Sequence, residues 1–248
     1  MSWSQDDIIF PVYAVAPAGT LPHDAERLQV ETIDAETLQG IHVPPAAVAA
    51  GPKILILGFG GNAWNGQDVA AYLHEVYPKA DVVAFHYRGY PPSTGFPSAK
   101  ALLADAPLVF DGAVNRVKPA RTVVVGFSIG SGIAASLAKR RSAAGLILVT
   151  PFDSLKKVAK GAFPWLPVGT LFKHEIDAAG ALEGSTVPVA IIAAEQDEII
   201  PSARTDALRA EVSNLVFDRT IADAGHNDIY ARSDFHDAMD EALQAVVR

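Results

Sequence analysis

Gly126-Phe127-Ser128-Ile129-Gly130 sets a serine between two glycines, directly after the apolar run Val123-Val124-Val125 and directly before an alanine-rich segment. A serine on a sharp strand-to-helix turn has its hydroxyl lifted into the open. The chain then crosses itself so closely two residues to either side that only glycine fits. The hydroxyl also stands at a helix N-terminus, where developing negative charge is favoured. The bland alternative is an ordinary glycine-rich turn. Because a serine hydroxyl is a weak nucleophile at neutral pH unless a base stands beside it, the pattern calls for a histidine.

Seven histidines are present, and His174, His226 and His236 follow Ser128. On a turn of this kind the acid and then the histidine follow the serine in chain order. His226, in Ala224-Gly225-His226-Asn227-Asp228, lies on a loop between a strand-like and a helix-like run, and is the candidate base. His174 does not follow a strand. His236 falls within a periodic helix among Asp234, Asp237 and Asp240, where a solvated surface residue is expected. The acid, which would hold the imidazole in its tautomer and orientation, should follow a strand. Glu195, Asp197 and Glu198 follow the run at 188–194, and Asp153 follows the run at 145–149. Acyl transfer further needs two N–H donors for an oxyanion. Ile129, next to the serine, is the first candidate, and Asn62, in Gly58-Phe59-Gly60-Gly61-Asn62-Ala63, is the second.

The elements that must carry these residues alternate. Strand-like runs at 8–16, 26–33, 53–57, 81–87, 122–125, 145–149, 188–194 and 215–221 are interleaved with helix-like periodicity at 67–76, 100–117, 129–139, 207–212 and 230–247. Pro107 stands against an unbroken helix at 100–117. Continuous apolar strands separated by helices predict an α/β fold, a mostly parallel sheet covered on both faces. Between 152 and 186 no strand appears, and Phe163-Pro164-Trp165-Leu166-Pro167 sits inside. Its length suits a small helical excursion within one domain spanning residues 1–248.

Cysteine is absent, which excludes disulfides and thiolate chemistry and is compatible with the cytoplasm. Twenty-eight acidic and 20 basic residues give a formal charge of −8 with no long basic block, against a nucleic-acid partner. Residues 122–138 are uncharged but short and broken by glycines, which favours strand, turn and helix over a membrane span. The N-terminus has no basic-then-apolar pattern of a signal peptide. Gly58-x-Gly60-x-x-Ala63 also fits a dinucleotide fingerprint, and Arg88 after the next strand would suit NADP; that oxidoreductase reading leaves Ser128, Asp197 and His226 without a role.

With these residues placed, the chain resembles the alpha/beta-hydrolase superfamily along nearly its whole length. Within it, the chain is similar to the cap-poor branch of alpha/beta-hydrolase-domain depalmitoylases and their microbial relatives. The resemblance rests on Gly60-Gly61-Asn62-Ala63, on His86-Tyr87-Arg88-Gly89-Tyr90-Pro91-Pro92-Ser93-Thr94-Gly95, and on Phe152-Asp153-Ser154-Leu155 followed by Trp165-Leu166-Pro167. It rests further on Ala194-Glu195-Gln196-Asp197-Glu198-Ile199-Ile200-Pro201 and Gly225-His226-Asn227-Asp228. Three positions depart from that pattern: Gly60 stands for a histidine, His86 for an aspartate, and Pro91-Pro92 stiffens a loop that usually contains glycine. The resemblance selects Asp197 as the acid and implies a serine hydrolase of esters or thioesters that needs no cofactor or metal. It implies a minimal cap at about 152–186, with Trp64, Phe127, Phe163 and Trp165 as candidate acyl-pocket walls or, equally, core. A fold relative that binds a ligand without catalysis is the rival of a different class.

Overall fold

The computed structural model describes residues 5–47, 51–162 and 172–248. Among them, eight strands form one sheet in the order β1-β2-β4-β3-β5-β6-β7-β8. These are β1 (Glu26–Glu31), β2 (Thr37–Val43), β3 (Ile54–Phe59), β4 (Asp81–Phe85), β5 (Arg121–Phe127), β6 (Gly145–Val149), β7 (Val189–Ala194) and β8 (Leu215–Ile221). β1 and β2 run antiparallel to their neighbours, and every pairing from β4 through β3 to β8 is parallel.

Strand residues alternate strictly between two cores. Leu55, Leu57, Val124, Leu146, Leu148, Val189 and Ile191 point to one, while Ile56, Val123, Val125, Ile147, Val149, Ala190 and Ile192 point to the other. That is the period-2 geometry of a strand read on a sheet buried on both sides, and each fully buried Val, Leu or Ile contributes roughly 1.5–3 kcal/mol. The first core is closed by α3 (Ala99–Val117) and α4 (Ile129–Ala138), the second by α2 (Gly66–Val76) and α8 (Ser233–Val246). Shorter helices α1 (Gln5–Ile9), α5 (Leu155–Ala162), α6 (Ala178–Leu182) and α7 (Ser202–Glu211) fill the connections.

Three expectations change. Residues 8–16 form no strand: α1 and a 3₁₀ turn at Val12–Ala14 occupy them, because Pro11 has no N–H to give a ladder. β2 forms where the pattern gave no strand, since Gln39, Gly40 and His42 break its apolar run. Its polar side chains are matched across the sheet instead: Gln39 Nε2 donates to Gln29 Oε1 on β1 at 3.4 Å, and His42 Nε2 lies 2.8 Å from Asp81 Oδ1. Finally, α3 runs unbroken through Pro107. The carbonyl four residues earlier, at Leu103, loses its helical donor to the proline and accepts from Arg140 Nη1 at 3.3 Å.

Candidate active site

The C-terminal ends of β3, β5, β7 and β8 meet around one cleft. β5 ends at Phe127, and Ser128 turns the chain into α4 with φ 51° and ψ −117°, a conformation seldom adopted by residues with a Cβ. Close crossing enforces it. A Cβ on Gly130 would overlap the carbonyl of Phe59, and one on Gly126 would overlap the carbonyl of Gly130. The half-buried Ser128 hydroxyl is thereby held at the first turn of α4.

His226 follows β8 on the loop to α8, and its Nε2 lies 3.1 Å from Ser128 Oγ. Its Nδ1 lies 2.9 Å from both carboxylate oxygens of Asp197, on the loop after β7. Both side chains are nearly sealed from solvent, at 6% and 7% exposure. An Nδ1–H directed at that carboxylate leaves the Nε2 lone pair to accept from the serine hydroxyl. Asp197 is itself fixed by the Ile199 and Ile200 N–H groups, at 2.9 and 2.7 Å.

Of the remaining carboxylates, Glu198 and Glu195 tie the two loops together and Asp228 braces its own loop. Glu198 accepts the His226 N–H at 3.0 Å, Asp228 the Gly225 N–H at 2.8 Å, and Glu195 the Asp223 N–H at 2.9 Å. The bond from the His226 backbone holds the Glu198 carboxyl below the ordinary glutamate range. Asp153 is placed otherwise. It is 1% exposed and draws Lys157 Nζ to 2.8 Å and Arg204 Nη1 to 3.2 Å, with no contact to His226.

Opposite the histidine, the loop after β3 carries the candidate oxyanion donor. Its backbone at Gly61 approaches the serine so closely that an added Cβ would stand 3.9 Å from Ser128 Cβ. Two buried tyrosines hold this loop by its carbonyls: Tyr87 donates to Gly60 O at 2.7 Å and Tyr90 to Asn62 O at 2.6 Å. Burial pushes both phenols above their usual range, so they remain donors. On the outer side, Asn62 Nδ2 donates to Ile9 O, Asn65 Nδ2 to Ala16 O and Gln67 Nε2 to Gly19 O, at 3.3, 3.2 and 2.6 Å. The N-terminal segment is thus strapped along the loop. Where the resembled family has histidine, a side chain on Gly60 would meet Val69 Cγ2 at 2.7 Å, and Tyr87 braces the position instead.

The cleft measures about 320 Å³. It is lined by the loop from Gly61 to Trp64 and by Ile199, Asn227 and Tyr230, together with Ser128 and His226, and the Trp64 and Tyr230 rings pack against each other with centroids 5.4 Å apart. Of the candidate pocket residues, Trp64 lines it and Phe127 does not. Fully buried at the end of β5, Phe127 packs behind Trp64, with ring centroids 5.2 Å apart, and belongs to the core. Phe163 and Trp165 lie outside the described residues, as does the middle of the expected excursion at 152–186. Ile129 is buried as the first residue of α4. Tyr87, Tyr90 and Tyr230 went unassigned on sequence alone, although the first two stand in the Tyr-Arg-Gly-Tyr segment that carried the resemblance.

The dinucleotide reading finds no cradle. Asn65 caps α2 by accepting the Asp68 N–H at 2.8 Å, and the Asp68 carboxylate already fills the first turn where a phosphate would sit. Arg88, the residue that would suit NADP, is buried against Asp105, with bonds of 2.9 and 2.6 Å, and Asp34.

No family model matches the chain. It is 32% identical over 232 residues to the uncharacterized Mycobacterium tuberculosis protein Rv2307c, covering 91% of this chain and 82% of that protein. It is 29% identical over 168 residues to the zebrafish (Danio rerio) lysophosphatidylserine lipase ABHD12, covering 59% of this chain and 44% of the relative. With alpha/beta hydrolase domain-containing protein 17B of Xenopus tropicalis it shares 28% over 212 residues, 82% of this chain and 72% of that one. Among solved structures, an alpha-beta hydrolase from Vibrio vulnificus superposes with a TM-score of 0.73 at 20% identity, covering 99% of this chain and 95% of that chain. Among the described residues no helix is long and apolar enough to cross a membrane.

Proposed function

Because this chain belongs to the alpha/beta-hydrolase superfamily, we propose that it is a serine hydrolase that cleaves a carboxylic ester or acyl thioester through an acyl-enzyme. The observation that supports this reading is the continuous hydrogen-bonded line from Ser128 Oγ through the His226 ring to Asp197, at 3.1 and 2.9 Å. In it, His226 takes the hydroxyl proton as Ser128 attacks the acyl carbon, while Asp197 stabilises the imidazolium that forms. The N–H groups of Asn62 and Ile129 are assigned to the oxyanion. His226 returns the proton to the leaving alcohol or thiol, and then takes one from the water that releases the acid. Residues 1–248 are read as one hydrolase domain with a minimal cap-like insertion at about 152–186.

A fluorophosphonate probe tests the nucleophile directly. Wild-type protein is expected to become covalently labelled, and Ser128→Ala is expected to remain unlabelled. Equal labelling of both would assign the reaction elsewhere. A folded wild type that takes no label would instead make this chain a ligand-binding relative without catalysis.

A further inference from the structure

We infer that Glu198 is a positioning residue for the reaction: by accepting the main-chain N–H of His226 it sets where the imidazole stands over Ser128. This rests on the hydrolase reading of Ser128 and His226, and adds to it a side chain outside the cleft lining. Two consecutive residues grip the histidine at two points. Asp197 takes the ring, 2.9 Å from Nδ1, and Glu198 Oε2 takes the backbone N–H at 3.0 Å. A carboxylate on the ring governs rotation about the side-chain bonds. It does not by itself fix the Cα from which the ring hangs, and that position decides whether Nε2 meets Ser128 Oγ at 3.1 Å.

The course of the two loops makes the second grip necessary. Past the strand ends the β7–β8 pairing continues, with the Glu195 N–H donating to Ile221 O at 3.0 Å and the Gln196 N–H to Ala224 O at 2.8 Å. Side chains double it there: Glu195 Oε2 accepts the Asp223 N–H, and Gln196 Nε2 donates to Asp223 Oδ1. Beyond Ala224, among the described residues, the hydrogen bonds that still join the loops are those of Asp197 and Glu198 to His226. Asp197 also accepts the Ile199 and Ile200 N–H groups, which fixes the backbone from which Glu198 extends. Gly225 leaves the carboxylate room, since a Cβ there would stand 3.1 Å from Glu198 Oε2. A part-buried backbone N–H needs an acceptor, so without Glu198 the His226 peptide turns toward another. The same bond holds the Glu198 carboxyl below the ordinary glutamate range, which keeps the acceptor ionised at neutral pH.

The test compares Glu198→Ala, Glu198→Gln and Glu195→Ala with the wild type, using nitrophenyl butanoate as substrate and a fluorophosphonate as titrant. Rates are expressed per labelled serine, so a merely structural role lowers the yield of labelled protein and leaves the rate alone. In Glu198→Ala, kcat and the rate of labelling should fall about tenfold with KM unchanged, because the base is displaced while the cleft lining stays whole. Glu198→Gln keeps a carbonyl acceptor for the His226 N–H and should come back to within about twofold of wild type. Glu195→Ala loosens the same two loops away from His226 and should keep the wild-type rate. Wild-type rates in Glu198→Ala would overturn the proposal. So would a glutamine variant as slow as the alanine one, or an equal loss in Glu195→Ala, which would assign the effect to charge or to loop order in general. A folded wild type that neither turns over the ester nor takes the label would instead remove the hydrolase reading itself.

Discussion

Asp197 and Asp153 each follow a parallel strand and each is nearly buried, so their partners alone divide their roles. Asp197 spends its carboxylate on the His226 ring, whereas Asp153 neutralises Lys157 and Arg204 on the far side of the β6–α5 connection. Asp197→Asn should therefore lower kcat about 10³- to 10⁴-fold with the fold intact, because an amide no longer enforces the productive imidazole tautomer. Asp153→Asn should weaken the protein toward urea and leave turnover per labelled serine near wild type. Steady-state ester hydrolysis normalised by phosphonate titration measures both. The opposite pattern would make Asp153 the acid. Ser128 and His226 were legible in the sequence because local spacing and chain order define them. The preference for Asp197 over Asp153 as the proposed acid needed the family resemblance, since Arg204, which claims Asp153, is 51 residues away in the chain.

At the scale of elements, the loop after β3 owes its position to hydroxyls delivered from the loop after β4. Tyr87 and Tyr90 take up two of its carbonyls and turn the peptide units between them, which bears on whether the Asn62 N–H faces the serine. Tyr87→Phe and Tyr90→Phe should each lower kcat about tenfold with little change in KM, since what is lost is alignment for the oxyanion rather than ground-state binding. A rise in KM at constant kcat would place these residues in substrate binding instead. Most strands and long helices could be read from periodicity, because the sheet is covered on both faces and its strands are apolar throughout. β2 could not, as the side chains of Gln39 and His42 find partners on neighbouring strands, 10 and 39 residues away. Nor could the continuity of α3, where the Leu103 carbonyl freed by Pro107 accepts from Arg140, just past the end of α4.

For the molecule as a whole, His86 sets an acid limit on stability. It is 3% exposed at the start of the β4–α3 connection, its Nδ1 has no hydrogen-bond partner among the described residues, and burial pushes its pKa down to about 4. An unfolded histidine titrates near 6.5, so as the pH falls the unfolded chain gains its proton first. The folded state therefore keeps its full stability above that value and loses it progressively down to about pH 4. Urea unfolding of the wild type should show a loss of roughly 2 kcal/mol from this group between pH 7 and pH 5, which His86→Leu should remove. Identical pH dependence in both proteins would rule the assignment out.

The strap of residues 9–19 gives the architecture a dependence that its sheet order would not suggest. It touches neither the serine nor the histidine, yet three amides of the segment from Asn62 to Gln67 are spent on holding it. It works as a splint: on the proposed mechanism, whatever peels it away slackens the anion clasp while Ser128 and His226 stay in register. On that reading, sluggish turnover with an undamaged Ser128 is a fault this molecule can acquire from residues 9–19.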